Sequence, residues 1–510
     1  MSTLKRNNVL IIVVDALRAD RVGAFGGREL TPNVDELAKE SAVFTSAYST
    51  TNVTDSAVTS IQTGRYPLSH GIVNHGSRVT GEEKNTVEQV GQLPGALSES
   101  GYRTAKFGRP LGRWHRKGFD EYPSSMENSI AFDKTKEVES VSTKEKIGNI
   151  FQRIHPSLAT TAANLYYAAH PSQPSLPEKD EVIAEYRNAS DKVVQNFGEF
   201  IQGSEPFYGF VHLMDTHASY QANPELVRSH LSEFEYRTDV PIQQGSGSHQ
   251  TVFDDLIEKG EYPEIKKKYY LSDGRPTTAI TDAHYDATVT QADTRVAKIL
   301  TLLKEAGVYD DTLIVFLSDH GESLTEHGIH YDHHGLYDVS IHIPLLIRPP
   351  GGTDKQIDDL VQITDIAPTI ESYTDISGID ADGYSLRPVI EKSVPVDRQY
   401  ILAEEAHTQR RRMVRSKDAK LIYSLDGKTV CRYCDVQHAS ETELYDLTED
   451  PKETENIART SGELVTKLQR IGDQRAGEFE NRRPDSNSRG EVIYQDENEV
   501  EDRLKALGYQ

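Results

Sequence analysis

Leu313-Ile314-Val315-Phe316-Leu317-Ser318-Asp319-His320-Gly321-Glu322 carries the decisive pattern of this chain. Five strand-forming residues run without a polar break and then stop on an Asp-His pair. A continuous apolar run reads as a strand buried on both faces, and open α/β sheets place their functional groups beyond the carboxyl ends of such strands. A second run, Val9 to Val14, stops in the same way on Asp15, with Arg18 and Asp20 close behind. Two parallel strands that each end in a carboxylate bring Asp15 and Asp319 to one rim, where they can share a cation. Asp at a strand end also caps helices, so either residue alone decides little. The pair together with His320, and with His327, His330, His333, His334 and His342 following, points to a metal centre. Oxygen-rich ligands with one imidazole suit Ca, Mg, Mn or Zn.

The chain has 510 residues, enough for one large α/β domain and a smaller one. Its 80 acidic residues exceed its 56 basic ones, a net charge of −24 that excludes nucleic acid or an anionic membrane as the natural partner. The acids are dispersed rather than blocked, as expected of a halophilic surface kept soluble by its charge. No stretch approaches the roughly 18 apolar residues that span a bilayer, and Met1 to Asn8 lacks the apolar core of a signal peptide. The expectation is a soluble, cytoplasmic protein. Cys431 and Cys434, in Cys-Arg-Tyr-Cys with His438 beyond, fit reduced thiols in a small-domain hairpin, half of a zinc site or a redox pair.

Along the chain, strand and helix signals alternate: a Val9–Val14 strand, a helix start at Thr31-Pro32-Asn33, a Val43–Tyr48 strand and a helix around Gln92–Ser100. Polar helical sequence from about 133 to 196 reads as an insertion over the sheet, with the apolar stretch Leu158–Ala169 inside it. Pro206–Met214 resumes the sheet and ends on Asp215-Thr216-His217, a third acid-bearing strand end. A second insertion, about 218 to 278, precedes a long helix at Ala279–Ala306. Pro344–Ile347 and Tyr400–Ala403 supply further strands of a catalytic domain spanning 1–405. A subdomain at 406–480 holds short antiparallel strands at Arg411–Arg415, Lys420–Ser424 and Glu443–Leu447 and a helix around Gly462–Ile471, and an acidic tail covers 481–510.

Eight stretches then occur in order. They are VVDALRADRVG with TPNVDELAKESAVF, TGRYPLSHG at Thr63–Gly71, GYRT at Gly101–Thr104, HLMDTH at His212–His217, SDHGE at Ser318–Glu322, HIPLLIRPPG at His342–Gly351, TDIAPTI at Thr364–Ile370 and ELYDLTEDPKETENIA at Glu443–Ala458. Their order resembles the sulfatase family of the alkaline phosphatase superfamily over nearly the whole chain. The resemblance implies an alkaline-phosphatase-like three-layer α/β sandwich with a mainly parallel central sheet, plus a small C-terminal antiparallel-sheet subdomain.

It also implies a nucleophile nine positions before Thr63, which is Thr54 in the run TDSAVTSIQTG, with Ser56 as fallback. The usual Cys or Ser followed by Pro and Arg is absent, so formylglycine is not expected: Thr cannot be oxidised to that aldehyde. As a residue at a helix start, Thr54 also fits a plain cap of a helix at Asp55–Ile61. A nucleophile there profits from the same amides and dipole that bind an anion. By position, Asp15, Asp319 and His320 would hold a divalent metal together with Thr54, the metal activating the alcohol. Ala16 stands where some members carry a further acid. His217 matches the histidine that contacts the ester group. The substrate-binding lysine maps to His333, with His334 one register slip away, and the lysine-tryptophan-histidine element maps to Gly108–Gly112, where Arg109 supplies charge. Asp215 is read as substrate-binding or, with His217 and His333 or His334, as part of a second metal site. The expected substrate is a small-molecule, glycan-linked or lipid-linked sulfate or phosphate ester. The alternatives are a phosphodiesterase or phospho-group transferase of the same superfamily, and a noncatalytic metal-stabilised binding protein.

Overall fold

The computed structural model describes residues 6–108, 113–123, 179–203, 206–218, 220–239, 272, 277–432 and 436–485. All but Lys179–Tyr186 of these belong to one compact unit, Met1–Ser125 with Arg187–Gln510; Met126–Tyr186 form a second.

The central sheet has seven strands among the described residues: β1 (Asn8–Val14), β2 (Ala42–Phe44), β4 (Arg103–Phe107), β5 (Phe207–Leu213), β6 (Thr312–Leu317), β7 (Leu345–Arg348) and β8 (Lys355–Ile357), in the order β4-β5-β1-β6-β7-β2-β8. β4, β5, β1 and β6 are mutually parallel, whereas β7 runs antiparallel to both β6 and β2. β1 is central and buried along its whole length. Its side chains alternate between two cores: Leu10, Ile12 and Val14 belong to one, and Val9, Ile11 and Val13 to the other. That period of two, with both faces covered, makes the middle layer of a three-layer sandwich. Each such aliphatic side chain contributes about 1.5–3 kcal/mol of burial, so a charge is not tolerated on either face.

Helices supply the outer layers by the complementary period. In the Ala279–Glu305 helix, Val289, Ala292, Val296, Ile299 and Leu303 recur every three or four residues and join the Leu10 side of the core. Gly307, at φ +68°, lets the chain turn away after its last turn. The Thr54–Thr63 helix packs Ala57, Val58 and Ile61 on the opposite face and is buried on every side. Several of its polar residues find partners: Thr59 and Thr63 hydroxyls donate to Asp55 and Thr59 carbonyls at 2.7 Å, and the Ser60 hydroxyl lies 3.1 Å from His70 Nε2.

Several boundaries differ from the expectation. The Val43–Tyr48 strand is split: β2 ends at Phe44, and β3 (Ala47–Tyr48) pairs with β9 (Val361–Gln362) in a separate ladder. β10 (Ile401–Glu405), read with the catalytic sheet, pairs instead with β11 (Arg411–Arg415), so the antiparallel sheet begins at Ile401 rather than after 405. β12 (Ala419–Ser424) and β13 (Thr442–Asp446) complete it. The helix behind it runs from Gly462 to Glu480, well past Ile471, because Leu468 and Phe479 both pack on Val414, Leu421 and Leu444. Within the first proposed insertion, Val193 and Val194 already lie in the sheet's core as part of the Lys179–Phe200 helix. Leu158–Ala169, Cys434, most of the 218–278 segment and the tail beyond Asp485 lie outside the described residues. No helix among the described residues is long and apolar enough to cross a membrane.

Candidate active site

The register of the sheet assembles the site. Val13 faces His212 of β5 on one side and Leu317 of β6 on the other. Two residues further on, Asp15 and Asp319 therefore leave adjacent parallel strands side by side, and the Ala16 amide donates to Asp319 Oδ1 at 3.1 Å. Ala16 has φ +55°, the left-handed turn that swings the chain off the strand end. Ser318 fastens the two ends together, its hydroxyl donating to the Val14 carbonyl at 2.7 Å and accepting from the Leu17 amide at 2.9 Å.

Asp15, Asp319 and His320 are fully buried, and one ligand atom from each lies within 4.8 Å of the other two. Asp15 Oδ1 and Asp319 Oδ2 have no hydrogen-bond partner among the described residues. Two adjacent buried carboxylates with orphaned oxygens are costly as they stand, and a divalent cation is the group that this donor set fits. Burial raises the Asp15 pKa, but His217, His212 and His320 outweigh it and hold the carboxyl well below its usual range. Burial and the Asp15 charge raise that of Asp319. His320 Nδ1 lies 2.9 Å from the Gly321 carbonyl, which can only accept; Nδ1 thus carries the proton and Nε2 is left as a lone pair.

Thr54 meets this group directly. Its Oγ1 lies 3.2 Å from His320 Nε2 and donates to Asp15 Oδ2 at 3.3 Å. The helix opens at Thr54, with Val53 as its cap residue and no side-chain capping bond. The hydroxyl is thus turned to the acid and the imidazole rather than spent on the helix. Ser56, the fallback nucleophile, donates to the Ile72 carbonyl at 2.7 Å.

Asp55, next to Thr54, joins two histidines: its Oδ1 is 2.8 Å from His115 Nε2 and its Oδ2 is 2.9 Å from His75 Nδ1. Burial opposes ionisation of Asp55, but His75 and His115 hold its pKa well below the carboxylate range. Burial pushes His115 down to about 4 even though Asp55 works against the shift. Lys106, also buried, has its Nζ 5.2 Å above the Phe210 ring and without a hydrogen-bond partner among the described residues; burial lowers it to about 7, opposed by Asp55.

Of the residues picked from the sequence, Asp15, Thr54, Asp319 and His320 form one cluster, and the His333 ring stands 4.6 Å from the His320 ring. Burial, then His320, keeps the His333 pKa well below its ordinary value. His217 acts electrostatically on Asp15. Asp215 is instead paired with Arg295 of the Ala279–Glu305 helix, and His334 faces Cys431 and His438. The alternative second metal site on Asp215, His217 and His333 or His334 is therefore not assembled among the described residues. Arg109 lies outside them. His327 stacks on Tyr337 at 3.6 Å, and His342 Nε2 lies 3.0 Å from the Thr45 carbonyl, as expected of histidines with structural partners.

Sequence reasoning missed His75, His115, His212 and Lys106. Trp114 is buried, and His115 beside it reaches Asp55. The Trp114-His115 pair shortly after Gly108 was the one sequence signal for it. His212 Nε2 lies 3.1 Å from Asp15 Oδ2; only the register of β5 against β1 reveals that contact.

The family described as Sulfatase matches residues 7–376, and the C-terminal region of N-sulphoglucosamine sulphohydrolase matches residues 325–474. The chain is 24% identical over 527 residues to the N-acetylglucosamine-6-O-sulfatase of Bacteroides thetaiotaomicron, covering 89% of this chain and 83% of that one. Among solved structures, a 2-O GAG sulfatase superposes with a TM-score of 0.63 at 19% identity, over 94% of this chain and 93% of that one. The phosphonate monoester hydrolase of Agrobacterium radiobacter shares the fold at a TM-score of 0.58 and 21% identity, over 93% and 96% of the two chains. With the family matched over most of its length and the fold shared throughout, this chain belongs to the sulfatase family of ester hydrolases.

Proposed function

We propose that this enzyme hydrolyses sulfate esters, of a sugar in the first instance, with Thr54 as nucleophile and without formylglycine. The observation that carries the reading is the Thr54 hydroxyl between Asp15 Oδ2 and His320 Nε2, at the first turn of a buried ten-residue helix. Asp15, Asp319, His320 and Thr54 would hold a divalent cation, which when bound lowers the pKa of an adjacent hydroxyl and offsets charge on the ester. Thr54 Oγ1 gives up its proton to solvent and attacks sulfur, and the bond from sulfur to the ester oxygen breaks. His217 gives the departing alcohol its proton. Water then attacks sulfur on the modified Thr54 and gives a proton back to His217; the bond from Thr54 Oγ1 to sulfur breaks, sulfate leaves, and Oγ1 takes up a proton from solvent. His333, beside His320, would contact the ester's equatorial oxygens. The 24% identical N-acetylglucosamine-6-O-sulfatase supports a sulfated sugar as substrate.

A phosphoryl reading of the same site is favoured by one residue, Thr54 itself. A sulfated threonine lacks the exit that a formylglycine hydrate has through collapse to its aldehyde, whereas a phosphothreonine intermediate is ordinary chemistry. The deciding experiment offers metal-loaded enzyme aryl sulfates and aryl phosphate mono- and diesters in high salt, with quenching and peptide mass spectrometry. Sulfate release, with or without an adduct on the Thr54 peptide, supports the sulfatase. A phosphate adduct there moves the assignment to a phosphodiesterase or phospho-group transferase, and no turnover of any ester moves it to a binding protein.

A further inference from the structure

A second group of ligand-type side chains stands apart from the Asp15 cluster and plays no part in the reaction above. His334, Cys431 and His438 each present a ligand atom within 4.8 Å of the other two. Cys431 is fully buried and His334 nearly so. The two belong to different parts of the chain: His334 lies on the loop after His333, and Cys431 and His438 stand in the small subdomain beside the Val430–Gln437 bridge, where the Cys431 amide donates to the Val436 carbonyl at 2.9 Å.

The orientation of His334 adds an independent pointer. Its Nε2 lies 3.0 Å from Asp332 Oδ2, while its Nδ1 lies 3.5 Å from Cys431 Sγ. A carboxylate on one ring nitrogen holds the proton there and turns the other out as a lone pair, the arrangement that orients a metal-binding imidazole. Close by, Glu405 is buried, and it interacts electrostatically with both His334 and Cys431.

We propose that His334, Cys431 and His438 form a second metal site, selective for a borderline-soft ion, Zn(II). A thiolate with two imidazoles is a zinc donor set and a poor one for calcium or magnesium, whereas the Asp15 cluster is rich in oxygen. Binding releases the Cys431 thiol proton and forms a sulfur–metal bond, with no change of oxidation state. The ion ties Cys431 and His438 of the small subdomain to the loop that presents His333 beside His320, so its role is to hold the catalytic loop in place.

The test uses the full-length protein, stripped with chelator and reloaded with Zn(II) or Co(II). Expected are a thiolate-to-cobalt charge-transfer band that Cys431→Ser abolishes and Asp319→Asn keeps, and Zn(II) affinity lowered at least ~10-fold by His438→Ala or Asp332→Asn. Iodoacetamide labelling of the unsubstituted protein guards against a variant that fails to fold, since trypsin cuts at Arg432 and separates Cys431 from Cys434. Zn(II) should shield the Cys431 peptide. A Co(II)-loaded protein without the band, or Cys431 labelled equally fast with and without Zn(II), overturns the site.

Discussion

The Thr54 hydroxyl lies 3.2 Å from Nε2 of His320, 266 residues further along the chain. Thr54→Ala removes the one hydroxyl placed between His320 and Asp15, so kcat should fall at least ~10³-fold with the fold intact. Thr54→Ser keeps the oxygen and should retain measurable turnover. Ser56→Ala removes only a bond to a carbonyl and should leave kcat within about tenfold. Steady-state kinetics with circular dichroism check all three; an active Thr54→Ala enzyme would refute the nucleophile.

Asp15 and Asp319 pay for their proximity when no cation is present, because two buried carboxylates repel. Chelation should therefore lower the melting temperature of the unsubstituted protein. At 100 times Kd a bound ion stabilises by about 2.7 kcal/mol, which sets the expected size. Asp319→Asn relieves the repulsion, so its melting temperature should hardly respond to chelator. Paired thermal scans with and without EDTA read this difference, and equal responses would count against a shared cation.

A Cβ on Gly321 would stand 2.1 Å from the Val339 carbonyl oxygen, closer than any real contact. The Gly321 amide also donates to the Ser340 carbonyl at 2.7 Å, so the backbone cannot easily retreat. Gly321→Ala should cost about 1–3 kcal/mol and shift His320, lowering kcat as well as stability. Urea unfolding alongside kinetics measures both; full activity at unchanged stability would contradict the packing described here.

His115 is pushed by burial to about 4, below its ordinary 6.5. Between these values the unfolded chain binds more protons than the folded one, so stability rises with pH across that window. The contribution is complete above about pH 6.5 and disappears as pH falls toward 4. His115→Gln removes this titration, and its loss of stability from pH 7 to pH 4 should be smaller than that of the parent by about 3 kcal/mol. Denaturant melts across that range decide the matter, and parallel curves would show that His115 is protonated freely in the fold.

The local signals that needed no partner were legible in the sequence. Val9–Val14 and Leu313–Leu317 are strands because uninterrupted apolar residues have no other way to hide, and each ends on its acid where the apolar run ends. Asp15, Asp319, His320 and Thr54 followed from strand ends and from motif order. What the tertiary structure alone decided depends on register and on contacts across hundreds of residues. β1 paired with β5 puts His212 on Asp15, and Asp55 gathers His75 from a loop and His115 from the short 3-10 turn Arg113–Arg116. His333 and His334, neighbours in the chain, serve different groups: one goes to His320, the other to Cys431. A one-residue choice of this kind changes which site a ligand serves, and only packing against both neighbours settles it.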